Sequence, residues 1–167
     1  MSCLGVHFSI DEAEVRKLRG FDTDPERLAY VQDDLEEHYL GSDPKRAVET
    51  DKAWDAIHRA LTDGTLDYAD RKSPFGHLIL GGEPLYSKDD YIMSLKSPAQ
   101  VQEVLPGLRS MTKERFRPLY FSIPQADYGV PLSEGDFEYT WAHLSGLPPF
   151  WELAAAERRY ILFTADQ

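Results

Sequence analysis

Both ends of this chain read as β-strand, and most of what lies between them reads as helix. Residues 3–10 alternate, with Leu4, Val6, Phe8 and Ile10 on one face and Cys3, Gly5, His7 and Ser9 on the other. That is the period-two pattern of a strand with one strongly apolar side. Arg159 to Ala165 is β-rich, and Tyr91 to Leu95 supplies a third extended run. Terminal strands separated by helices predict an α+β fold. A single domain over residues 1–167 is expected, in which a small mixed sheet holds both terminal strands and the Tyr91 strand, with several helices packed on it.

The helices announce themselves by their starts. Asp11 caps a short one, with Glu14 in the capping-box position, Val15 and Leu18 inward and Gly20 at its close. Asp24 and Pro25 open a second, running to about Leu40, with Leu28, Val31, Leu35 and Tyr39 as its inner stripe. A third spans about Asp51 to Leu61. Trp54, Ile57, His58 and Leu61 share one face of it, and Asp55 and Arg59 are set for a helical ion pair. Ser97-Pro98-Ala99-Gln100 starts a fourth, with Pro106 a candidate kink or stop. Thr112 caps a short helix that Pro118 is expected to end, leaving Leu119 to Ile123 extended and Gln125 to Leu132 as loop. Ser133 opens a helix with Phe137, Trp141 and Leu144 inward, and Pro148-Pro149 breaks it before a last helix from Phe150.

At 167 residues and 42% hydrophobic, the chain suits one ordinary core. One cysteine, Cys3, excludes an internal disulfide and suits a reducing compartment. The opening residues carry neither a basic nor a long apolar region, so no signal peptide is read. Runs such as Leu78-Ile79-Leu80 fall far short of the ~20 residues of a membrane span. The expectation is a soluble cytoplasmic protein without membrane contact.

The formal charge is -11, and residues 22–51 hold ten acids against three bases. A field of that sign repels phosphate and favours a basic partner, so nucleic acid is not expected to bind. Asp33, Asp34, Glu36 and Glu37 lie off the inner stripe of the second helix and are the partner-binding candidates. The plainer alternative is a solvated face.

Catalytic motifs are sought and mostly not found. Gly76 to Gly81 has the glycine spacing of a phosphate loop, but Gly82 and Glu83 follow where a lysine and a hydroxyl residue belong. Five scattered histidines and one cysteine give no metal grouping, and no cofactor is implied. Cys3 reads as a small buried side chain. His58, beside Trp54 and one turn from Asp55, is the best candidate for a ligand pocket, with His77 as a possible assistant. Its structural alternative is a core-edge histidine bonded to a backbone carbonyl. Tyr139, Trp141, His143, Phe150 and Trp151 form the densest aromatic stretch, read as core or, failing that, as a contact surface.

Several segments together resemble the YfbM-like family of small uncharacterised bacterial proteins. They are the opening Leu4 to Asp11, the helix Asp51-Lys52-Ala53-Trp54-Asp55-Ala56-Ile57-His58, the turn Leu78-Ile79-Leu80-Gly81-Gly82, and the strand from Tyr91 into its Ser-Pro helix. The resemblance implies one α+β domain. It implies no reaction, cofactor or catalytic residue, and it marks Trp54 and His58 as pattern positions. Charge and the lack of a strong catalytic motif lead to a non-catalytic protein-binding module, in one version an immunity-type antidote to a basic toxin. The alternative is a small-molecule binder or enzyme with a pocket around Trp54 and His58.

Overall fold

The computed structural model describes residues 3–68 and 73–167; Met1 and Ser2, read above for a signal peptide, lie outside them. Strand β1, Gly5–Ile10, passes through a closed Asp11–Glu14 capping box into helix α1, Glu12–Gly20. Helix α2, Asp24–Ala29, a π-helical turn, Tyr30–Leu35, and helix α3, Glu36–Gly41, follow without interruption. The cap differs from the expected one. Thr23 accepts from the Glu26 N–H, and Glu26 returns a bond to the Thr23 N–H at 3.1 Å. Asp24 instead accepts from the backbone and hydroxyl of Ser87, tying this helix to a distant loop.

Why does the chain underwind at Tyr30? Val31, Leu35 and Tyr39 are all buried and stand four residues apart. On a helix of 3.6 residues per turn that spacing drifts by about 40° at each step. A wider turn offsets the drift and keeps all three on the sheet side.

After a 3₁₀ turn, Pro44–Arg46, the chain forms β2, Ala47–Asp51, and then α4, Ala53–Leu61. The short β3, Glu83–Pro84, and β4, Tyr91–Lys96, precede α5, Pro98–Ser110, and α6, Lys113–Phe121. Helices α7, Gln125–Tyr128, α8, Glu134–Leu144, and α9, Leu147–Ala156, lead to β5, Tyr160–Asp166. Residues 119–121, expected extended, are helical, and Pro118 sits inside α6. Phe116 and Tyr120, each 0% exposed, straddle the proline. Their burial offsets the lost backbone bond, a tertiary gain that local rules do not contain. Pro148 and Pro149 lie in the first turn of α9, where a missing N–H costs little.

The sheet runs β2-β1-β5-β4-β3, and every ladder is antiparallel. The mixed sheet expected from sequence is therefore corrected to an antiparallel one. Strands β1 and β4 do run the same way, but β5 enters between them and opposes both, so the parallel pair never bonds.

Both faces of the sheet are covered. Phe8, Ile10, Met93, Leu95 and Leu162 meet α1, the π turn and α3. Ile92, Ile161, Phe163 and Ala165 meet the larger helical layer of α4 to α6, α8 and α9. The polar side of β1 is thus also buried: His7 is 0% and Ser9 1% exposed.

Candidate functional site

Helix α4 is seated by groups far away in sequence. Its start has no side-chain cap of its own. Instead the Tyr139 hydroxyl of α8 accepts from the Lys52 N–H at 3.1 Å and donates to Asp51 at 2.8 Å. Asp51 is held in the left-handed region, φ 46°, at the turn from β2. The Trp54 indole N–H donates to the Cys3 carbonyl at 2.9 Å. Gly5 makes room for this: a Cβ there would stand 2.7 Å from the Trp54 ring. Asp55 and Arg59 form the expected ion pair at 2.6 Å, and Arg59 also donates to the Gly64 carbonyl. Burial pushes the Asp55 carboxyl upward against the pull of Arg59, and the charge of Asp136 adds to the rise.

Trp54 and Asp55 line a cleft of ≈ 440 Å³ together with Cys3, Leu66, Tyr128 and Tyr139. His58 and His77 do not line it. His58 is 1% exposed, with Nε2 3.3 Å from the Asp67 carbonyl, the placement described above as the structural alternative. His77 lies 3.6 Å from Glu103, apart from the cleft. Cys3 is half-buried at the cleft wall rather than packed inside the core. Tyr128 and Asp136 were missed by sequence reasoning, for Asp136 joins the cleft only through the packing of α8 against α4, and Tyr128, at the end of α7, through its hydrogen bond to Asp136. Tyr139 was noticed only as part of an aromatic run.

The second region is the acidic helix. Asp33 and Asp34 project from the π turn and Glu37 from α3, all exposed, while Glu36 is half-buried. Among the described residues none of these four takes part in an ion pair. Some acids elsewhere are matched, Glu83 with Arg19, Glu152 with Arg109, Glu138 with Lys113 and Glu157 with Arg46, whereas among the described residues Glu12, Asp22 and Glu114 are, like these four, in no ion pair. Glu36 borders a groove of ≈ 270 Å³ shared with Leu4, Leu40, Tyr91, Glu49 and Asp166. Leu4 and Leu40 are 45% and 43% exposed there. Burial, and then the charge of Asp166, hold the Glu36 carboxyl above its ordinary range. Leu4, read above on the apolar face of the first strand, lies just before β1 and is exposed instead, and the exposure of Leu40 gave no sequence signal.

Two further sequence features are structural. A Cβ on Gly82, at φ 139°, would stand 2.4 Å from the Leu95 carbonyl, so this glycine lets the turn close on β4. In the aromatic stretch Phe150 and Trp151 are core, and Tyr139, Trp141 and His143 are partly exposed.

An antiparallel five-stranded sheet between two helical layers, with a cleft at the start of α4, defines an α+β domain. The chain belongs to the family described as a domain of unknown function, DUF1877, whose model matches residues 1–164. Its fold is similar to the crystal structure of YfbM from Escherichia coli, a protein of unknown function. The two share 19% identity over 97% of this chain and 99% of that one, with a TM-score of 0.66. The resemblance to the YfbM-like family is thereby borne out. No curated protein matches the chain. Among the described residues no helix is long and apolar enough to cross a membrane.

Proposed function

We propose that the protein is a non-catalytic binding module that captures a basic protein on the face carrying Asp33, Asp34, Glu36 and Glu37. The observation that supports this reading is the clustering of four acids, none in an ion pair among the described residues, on consecutive turns whose Glu36 borders a groove with exposed leucines. Carboxylates ringing apolar anchors are what a lysine- or arginine-bearing surface with an apolar centre would match. The concrete form is an immunity-type antidote that covers the active site of a basic toxin in the cytoplasm, with the acids speeding capture. Phosphate repulsion by the same field argues against nucleic acid.

The test is affinity capture from source-cell lysate at low and high salt, using the wild type and the reversal Asp33→Lys, Asp34→Lys, Glu36→Lys, Glu37→Lys. One stoichiometric basic protein, lost on reversal and weakened by salt, is the expected result. A partner retained at full affinity by the reversed helix would sink the reading.

A further inference from the structure

We infer that the cleft beside Trp54 is a binding site for a small organic cation, an ammonium or guanidinium group carried on a flat apolar body. This site is separate from the acidic helix, and its case rests on what hydrogen-bonding capacity the cleft has left to offer.

The donors in its wall are committed. The Trp54 indole N–H is taken by the Cys3 carbonyl, and the Tyr139 hydroxyl by Asp51. The Tyr128 hydroxyl donates to Asp136 Oδ2 at 2.9 Å, and Tyr120, behind it, donates to the same oxygen. Tyr128 and Tyr139, both partly exposed, therefore present ring surface and no free O–H, over a Trp54 ring that is 3% exposed at the base of the cleft. The acceptors are only half used. Asp55 gives Oδ1 to Arg59, and Asp136 gives Oδ2 to the two tyrosines. Among the described residues Asp55 Oδ2 and Asp136 Oδ1 accept no hydrogen bond. Lys52 and Gln167, the exceptions to this polarity, stand exposed at the rim.

Of the lining residues Lys52, exposed at the rim, is the one cation against two carboxylates, Asp55 and Asp136, while Arg59, outside the lining, is engaged with Asp55 and the Gly64 carbonyl. A ligand that donates to both open carboxylate oxygens and lays an apolar body on Leu66 and the tyrosine rings, over the edge of Trp54, answers the surplus of carboxylates and covers the apolar wall. A neutral or anionic ligand of the same shape answers at most the second. The volume falls within the range of small-molecule sites.

The test uses matched triplets of small molecules that share a body and differ in charge: 2-phenylethylamine, 2-phenylethanol and 3-phenylpropionate, with the same series on indole and naphthalene. Binding is followed at the Trp54 indole N–H resonance, assigned by Trp54→Phe, and by calorimetry. At least one amine should shift that resonance saturably and bind at least tenfold tighter than its neutral and anionic counterparts. Asp136→Asn, which can still accept from both tyrosines, should remove that tenfold preference and leave the alcohol unchanged. Val130→Trp, at the exposed rim, should block all three. Equal affinity across a triplet, no response to any amine, or amine binding that leaves Trp54 unmoved would overturn the inference. Each of these outcomes is independent of whether the acidic helix captures a protein.

Discussion

His7 and Lys96 are both fully buried on the same face of the sheet, and among the described residues neither has an anion beside it. His7 Nε2 is 3.2 Å from the Thr50 hydroxyl, its Nδ1 has no hydrogen-bond partner among the described residues, and Phe163, Phe150 and Trp151 surround it. Lys96 donates to the carbonyls of Ile79 and Ser94, with its ammonium position 5.3 Å from the Phe163 ring centre. Burial lowers both groups well below their ordinary values, and Lys96 lowers His7 further. Because the unfolded chain takes up a proton on His7 near pH 6.5 and the native chain does not, acid favours unfolding. Stability should therefore fall as pH drops below about 6.5, and His7→Gln should flatten that fall in urea melts at stepped pH. The sign for Lys96 is the same: stability rises with pH between its depressed native value and the ordinary lysine value, so Lys96→Met should lessen the slope on the alkaline side, below the ordinary lysine value. At Gly82 the constraint is steric. Gly82→Ala should cost about 2 kcal/mol or more through strain and the clash with Leu95. Gly20→Ala, with nothing within 4 Å, should be neutral or gain up to about 1 kcal/mol in the same denaturation assay.

Among elements, the starts were more legible than the stops. The capping boxes at Asp11–Glu14 and Ser97–Gln100 stand where their residues put them, because a cap is a local bond between neighbours in sequence. Thr23 and Asp24 show the limit of that logic. Both can cap, and what decides is Ser87, which draws Asp24 away. Thr23→Ala should thus cost about 1 kcal/mol in thermal or urea unfolding, with the loss centred on α2 in hydrogen exchange. Strand β2 was illegible for a related reason. Its Ala47-Val48-Glu49-Thr50-Asp51 has little apolar alternation, and it becomes strand by pairing with β1. The candidate site divides the same way. Asp55–Arg59 is an i,i+4 pair and was readable. The Tyr139 cap on α4 joins residues 87 apart in sequence, and no periodicity carries that information. His58 shared a helical face with Trp54 on paper, and both are buried, yet Trp54 bonds the Cys3 carbonyl at the base of the cleft while His58 lies against the Asp67 carbonyl outside it.

For the whole molecule, the net charge of -11 sets two opposite responses to salt. Self-repulsion within residues 22–51 is long-ranged and screened as the Debye length shrinks from ~30 Å at 0.01 M to ~8 Å at 0.15 M. Exposed ion pairs such as Arg19–Glu83 lose strength too, but each is worth at most about 1 kcal/mol. The melting temperature should rise with sodium chloride over this range, measured by calorimetry, while association with a basic partner should weaken over the same range. A melting temperature that falls with salt would show that paired charges outweigh the surplus.

The strand order also imposes a schedule on the ribosome. Strand β5 fills the gap between β1 and β4, and its rungs to β1 join residues more than 140 positions apart, such as Gly5 with Ala165. Until residue 166 has been synthesised and has cleared the exit tunnel, the sheet is two separate halves, each with an open inner edge. A nascent chain in that condition exposes unpaired backbone and both halves of its core. Folding is then a late event that closes the sheet from its last strand, and truncation before β5 should give an aggregating chain rather than a smaller domain.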